Sequence, residues 1–163
     1  MPQGGTAQHR VSHTAWKPMK TPVTVFLLLL LFGAAASAHA QGIKWKALNK
    51  EVMTLYQKGQ YDRAVVVAKK ALDMAEKAVG PNHPSVATSL NNLAGLYGTQ
   101  GRYAEAEPLY RRSLAIREKA LGPDYPDVAA TLENIAKLHR TIGRAKEAES
   151  LEARAARIRA ITR

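Results

Sequence analysis

Leu90-Asn91-Asn92-Leu93-Ala94-Gly95-Leu96-Tyr97 decides the fold, because its first five residues return as Leu132-Glu133-Asn134-Ile135-Ala136 with an offset of 42. Gly80-Pro81-Asn82-His83-Pro84 returns as Gly122-Pro123-Asp124-Tyr125-Pro126 with the same offset, and Gly59, Gly101 and Gly143 keep it too, as do Ala64, Ala106 and Ala148. Several residue types on one spacing mark a tandem repeat of supersecondary units.

Each unit reads as two amphipathic helices. In the middle unit Val86, Leu90, Leu93, Leu96 and Tyr97 follow helical spacing from about Pro84 to Gln100. Gly101 ends that helix, since glycine enters the left-handed region without steric cost. The second helix is predicted from Tyr103 to Leu121, with Tyr103, Ala106, Tyr110, Ser113, Leu114, Arg117 and Leu121 facing inward and Arg117 contributing only its stem. Pro108 removes one hydrogen bond there and predicts a bend. Gly122-Pro123 stops the helix, and Pro126 suits the first turn of the next. One hairpin cannot bury its apolar face, so neighbours must stack. The expectation is all-α: a right-handed α-solenoid of three helical hairpins, about 45–80, 84–122 and 126–161.

Residues 1–40 stand outside the repeats. Lys17 and Lys20 precede the apolar run from Val23 to Phe32, and Ala38-His39-Ala40 follows. That order is a basic region, an apolar region and a small-residue cleavage site, a secretory signal. Cleavage after Ala40 leaves 41–163 as the repeat domain, exported to the periplasm or outside the cell. Met1 to Pro18 add an unusually long leader, and Met19 is the favoured true start. An uncleaved membrane anchor is the competing reading; once the signal is removed, no stable membrane span is expected. Only Arg10, Lys17 and Lys20 of the 24 Lys and Arg precede Gln41, against 13 Asp and Glu that all follow it, so the exported form carries +8. The cations are interspersed with acids, except Arg154, Arg157, Arg159 and Arg163 near the end, which is unlike the clustered surface of a nucleic-acid binder. Cysteine is absent, which excludes disulfides, thiolate metal sites and thiol catalysis.

The stretches Leu90–Tyr97, Gly101-Arg102-Tyr103-Ala104-Glu105-Ala106-Glu107 and Leu109-Tyr110-Arg111-Arg112-Ser113-Leu114-Ala115-Ile116 resemble the tetratricopeptide repeat (TPR). The 42-residue period and the Gly-Pro-x-x-Pro loop resemble its kinesin light chain subtype, the ordinary repeat being about 34 residues. HEAT and armadillo arrays have similar periods, and the Tyr, Ala and Gly placement argues against them. The first unit aligns with Tyr56 in the place of Tyr97, one residue short before Gly59; the third has Ala145 for Tyr103 and Glu152 for Tyr110, as suits a terminal unit. The resemblance implies a non-catalytic protein-interaction scaffold with a peptide groove on the first helices of the units. It carries over Thr88, Asn91, Asn92, Gly95 and Thr99 in the middle unit, and Asn134, Lys137 and Thr141 in the third. Lys137, with Arg140 beside it, implies an acidic partner.

Nothing in the sequence assembles a catalytic centre. His83 reads as a helix-start residue, and His139, in the place of Tyr97, as a groove-side or core filler. Ser85, Ser89 and Ser113 lack a matched base, and no phosphate loop or paired acids occur. No enzyme activity, metal, cofactor or nucleic-acid partner is expected. The rival to a peptide-binding scaffold is a structural or vestigial repeat fragment that self-associates through its ends or stacks on another repeat protein.

Overall fold

The computed structural model describes residues 22–162, with side chains from Ala40 onward. It divides into two compact units, 1–34 and 35–163. Of the first, only the helical stretch 22–34 is described; Met1 to Thr21 lie outside the described residues, and so does the leader with Met19. The elements are α1 (Pro22–Gln57), α2 (Tyr61–Val79), α3 (Pro84–Thr99), α4 (Tyr103–Leu121), α5 (Pro126–Thr141) and α6 (Ala145–Ile161). These are the six helices read from periodicity, with no strand among the described residues. The first differs from expectation: it runs back to Pro22, through Ala38-His39-Ala40, instead of beginning near Trp45. Helix α4 continues through Pro108 without interruption. Among the described residues no helix is long and apolar enough to cross a membrane.

The hairpins close alike. Gly59, Gly101 and Gly143 take φ of +69°, +74° and +80°, where a side chain is strained. Past each glycine the next N–H folds back five residues: Gln60 to Leu55 O at 2.9 Å, Arg102 to Tyr97 O and Arg144 to His139 O at 2.8 Å. This Schellman-type closure satisfies otherwise unpaired helix-end carbonyls. It also corrects the alignment of the first unit. Leu55, not Tyr56, is the counterpart of Tyr97, and the offset of 42 holds throughout. Leu55 is buried accordingly, while Tyr56 is exposed. Pro84 and Pro126 sit in first turns, and His83 caps α3, its Nδ1 accepting from Ser85 N–H at 3.1 Å.

The solenoid core runs through all three units. Leu55, Ala64, Ala68, Ala94, Tyr97, Ala106, Tyr110, Ile135 and Leu138 belong to one buried cluster. Leu90 and Ile116 close a second with Ala75 and Val86, and Leu132 and Ile158 a third with Val128 and Ala155. Each fully buried aliphatic side chain contributes about 1.5–3 kcal/mol relative to exposure. Two inward positions differ from the sequence reading. Ile116, left off the predicted stripe, is buried. Arg117 buries its guanidinium as well as its stem: Nη1 donates to Asp127 O at 3.0 Å and to Thr131 Oγ1 at 2.6 Å. Burial pulls this guanidinium below its ordinary pKa, opposed by the Asp127 carboxylate.

Candidate functional site

The first helices of the units present column positions with the 42-residue offset: Asn49, Asn91 and Glu133; Lys50, Asn92 and Asn134; Met53, Gly95 and Lys137. Between them lies a groove of about 310 Å³. Seven residues carried over from the family resemblance line it: Asn91, Asn92, Gly95, Thr99, Asn134, Lys137 and Thr141. Thr88 and Arg140 do not. Thr88 turns its hydroxyl onto Pro84 O at 3.2 Å. Arg140 leaves the groove for α6, where its Nε donates to Glu152 at 2.7 Å.

Residues the sequence reading did not assign to the groove supply its apolar part. Val52, Met53 and Tyr56 from α1, and Tyr103 and Tyr110 from α4, belong to its lining. Tyr56 stands edge-on to Tyr61, ring centres 5.5 Å apart. The Tyr110 hydroxyl lies 3.4 Å from where a Cβ on Gly95 would stand, so the glycine leaves it room. Burial first, then the neighbouring Tyr56, push that phenol up to about 12; it therefore stays a neutral donor at physiological pH. A signal for these aromatics was present in their spacing, but the same spacing equally describes core fillers.

The asparagines are not simply solvated. Asn92 Nδ2 donates to Asn49 Oδ1 at 2.9 Å, and Asn134 Nδ2 to Asn91 Oδ1 at 3.0 Å. Each bond crosses from one unit to the next, and Asn49 in turn donates to Trp45 O at 2.9 Å. One amide N–H of each is thus engaged between units. Asn92 and Asn134 keep their oxygens and one N–H each. Thr99 and Thr141 bond the carbonyls of Gly95 and Lys137 at 3.0 and 2.9 Å, which leaves hydroxyl lone pairs toward the groove. Lys137 is the one charged side chain in the lining among the described residues.

Below the groove, Glu107 joins the second and third units. Its carboxylate receives Arg111 Nη2 at 2.7 Å and Arg144 Nη1 at 3.2 Å, with His139 Nε2 at 3.6 Å. His139 is buried as a core filler, and neither ring nitrogen has a hydrogen-bond partner. The Arg111 hydrogen bond, against some desolvation, holds the Glu107 carboxyl below its ordinary range. A carboxyl depressed by folding stabilises above its unfolded pKa, and that contribution disappears as pH falls through the folded value. Glu107→Gln is therefore expected to narrow the difference in Tm between pH 7 and pH 3, measured by circular dichroism. An unchanged difference would show that the cluster is not linked to folding.

The serines have structural duties. Ser113 donates to Ala87 O at 2.8 Å, and Ser89 accepts from Trp45 Nε1 at 2.8 Å. Among the described residues no group of three or more His, Asp or Glu could hold a metal ion.

Residues 46–119 and 86–160 each match the tetratricopeptide repeat. No curated protein matches the chain. Among solved structures, BtubC (BKLC) from P. vanneervenii is similar with 29% identity and a TM-score of 0.67, over 72% of this chain and 47% of that one. Kinesin light chain-like TPR repeats from Podosopora anserina are similar with 26% identity and a TM-score of 0.68, over 74% and 57% respectively. The chain thus spans about half the length of these structures.

Proposed function

The chain belongs to the tetratricopeptide repeat family, whose repeats mediate protein–protein interactions, and from that premise we propose that it is a non-catalytic scaffold holding an extended, acidic peptide segment in the groove of α1, α3 and α5. The observation that carries this reading is the lining itself. Amides at Asn91, Asn92 and Asn134 suit a peptide backbone, tyrosines and Met53 suit an apolar side chain, and Lys137 suits a carboxylate. Peptide arrays titrated against the chain test it. Lys137→Glu is expected to weaken acidic peptides about tenfold and to leave Tm unchanged, since Lys137 is exposed. Equal affinity for acidic and basic peptides would remove the assignment. Asn92→Ala with Asn134→Ala is a poorer probe. Each substitution also breaks an inter-unit hydrogen bond of roughly 0.5–1.5 kcal/mol, so Tm is expected to fall together with binding.

The domain division belongs to the same proposal: residues 1–40 form the leader and signal, 41–163 the working domain, and the scaffold acts in the periplasm or outside the cell. The order of Lys17, Lys20, the apolar run and Ala38-His39-Ala40 supports it. Intact-mass measurement of exported protein is expected to give Gln41 as the first residue; a form retaining Val23 to Phe32 would contradict it.

Stacking on copies of itself is the weaker reading, because the end columns change chemistry. Where the second and third units have Val86 and Val128, Leu93 and Ile135, and Leu96 and Leu138, the first has Lys44, Glu51 and Thr54, all exposed. At the other end Glu133 pairs with Arg159 and Glu152 with Arg140.

A further inference from the structure

The second helices are tied to one another by a ladder of ion pairs. Glu76 of α2 meets Arg112 of α4 at 2.6 Å, and Glu118 of α4 meets Arg154 of α6 at 2.6 Å. Both acids and both arginines keep the 42-residue offset. Four residues before each glutamate comes a leucine, and both leucines pack on the next unit: Leu72 against the cluster of Val86, Leu90 and Ile116, and Leu114 against that of Val128, Leu132 and Ile158. Within the array, then, each seat receives a helix through a Leu-x-x-x-Glu pair: the leucine enters the apolar floor and the glutamate reaches the basic rung.

The first unit carries the equivalent seat. Its floor is Leu48 and Met74, and its rim Lys44, Lys70 and Lys77, with Asp73 already bonded to Lys77 at 2.8 Å. Lys70 occupies the rung of Arg112 and Arg154, and no carboxylate among the described residues meets it. We infer that this end is a docking seat for an amphipathic helix of a partner protein, bearing a leucine and an acidic residue four positions later. Lys44 and Lys70 select acidic flanks on that helix. A second copy of this chain does not fit. Its α6 has Ala156 and Ala160 where the leucine and glutamate belong, with the exposed Arg157 between them. This seat is separate from the groove and stands independently of the function proposed for it.

The test uses a fluorescent, helix-stapled peptide of the α2 sequence, residues 61–79, with K69Q, K70Q and K77Q, titrated against the full chain by anisotropy. Saturable binding is expected, weakened about tenfold by Glu76→Lys in the peptide or Lys70→Glu in the chain, and recovered when the two are combined. The exposed Lys146→Glu on α6 is expected to change nothing. Circular dichroism of the Lys70→Glu chain checks that it is folded. Absent binding, or binding indifferent to Lys70→Glu, would overturn the inference. So would concentration-dependent dimers in sedimentation that Lys70→Glu abolishes, since a second copy would then hold the seat. Flotation with anionic phospholipid vesicles that depends on Lys70 would instead assign the lysines to a lipid surface and overturn it equally.

Discussion

Ala106→Trp is expected to lower Tm by roughly 10 °C or more, or to prevent folding, while Lys119→Ala leaves it within a degree or two. Ala106 is fully buried in the central cluster with Ala94, Tyr97 and Tyr110. Its methyl group sets how closely α3 and α4 approach. Overpacking by a few methylenes costs about 1–3 kcal/mol, and an indole adds far more volume than that. For a domain of this size each kcal/mol is worth several degrees, about 2–8 °C. Lys119 is exposed and in no ion pair among the described residues, so its truncation belongs with surface changes of about ±0.5 kcal/mol. Thermal melts of the two variants side by side decide the matter, and equal melting temperatures would refute the packing assigned to α4.

Thr131→Val is expected to cost more than Arg117→Met, although it removes the smaller group. Arg117 Nη1 donates to both Thr131 Oγ1 and Asp127 O, and Thr131 Oγ1 donates to Asp127 O at 2.9 Å. Taking away the hydroxyl leaves a buried cation short of an acceptor, at about 1–3 kcal/mol or more. Methionine in place of Arg117 keeps the packing volume and orphans nothing, since Thr131 retains its carbonyl; such replacements of buried charges are neutral or stabilising in many proteins. The double variant is then expected to unfold at a higher denaturant concentration than Thr131→Val alone. Additive losses would show that the guanidinium is solvated after all.

The hairpin boundaries were legible because glycine and proline act through the backbone, whatever packs around them. Gly101 and Pro126 therefore marked the ends of α3 and the start of α5 within a residue. Tyr56 misled because an aromatic residue near the end of α1 invited alignment with Tyr97, whereas register is set by the Gln60-to-Leu55 bond, which no side chain announces. The sequence shows only the stem of Arg117 because its partners are a carbonyl and a hydroxyl 10 and 14 residues away, in a turn whose geometry exists only once α5 has docked. Much of the groove was legible by equivalence with the repeat family. Its asymmetry was not: Met53, Gly95 and Lys137 share a column, so the change from apolar to cationic along the groove is a property of three helices together. The amide pairs Asn49–Asn92 and Asn91–Asn134 are hidden in the sequence for a related reason, being separated by 43 residues, one more than the period.

The invariant spacing of the Gly-Pro loops makes the hairpin a cassette. A cut after Gly80 and another after Gly122 enclose one full period whose two ends have matching backbone, φ +83° and +98°. Duplicating that segment would insert a further rung of amides and one more Glu–Arg strut, and would lengthen the groove by a single helix without altering either seam. In a protein built this way a single duplication would add one contact residue to every column at once, already in register and able to diverge one position at a time.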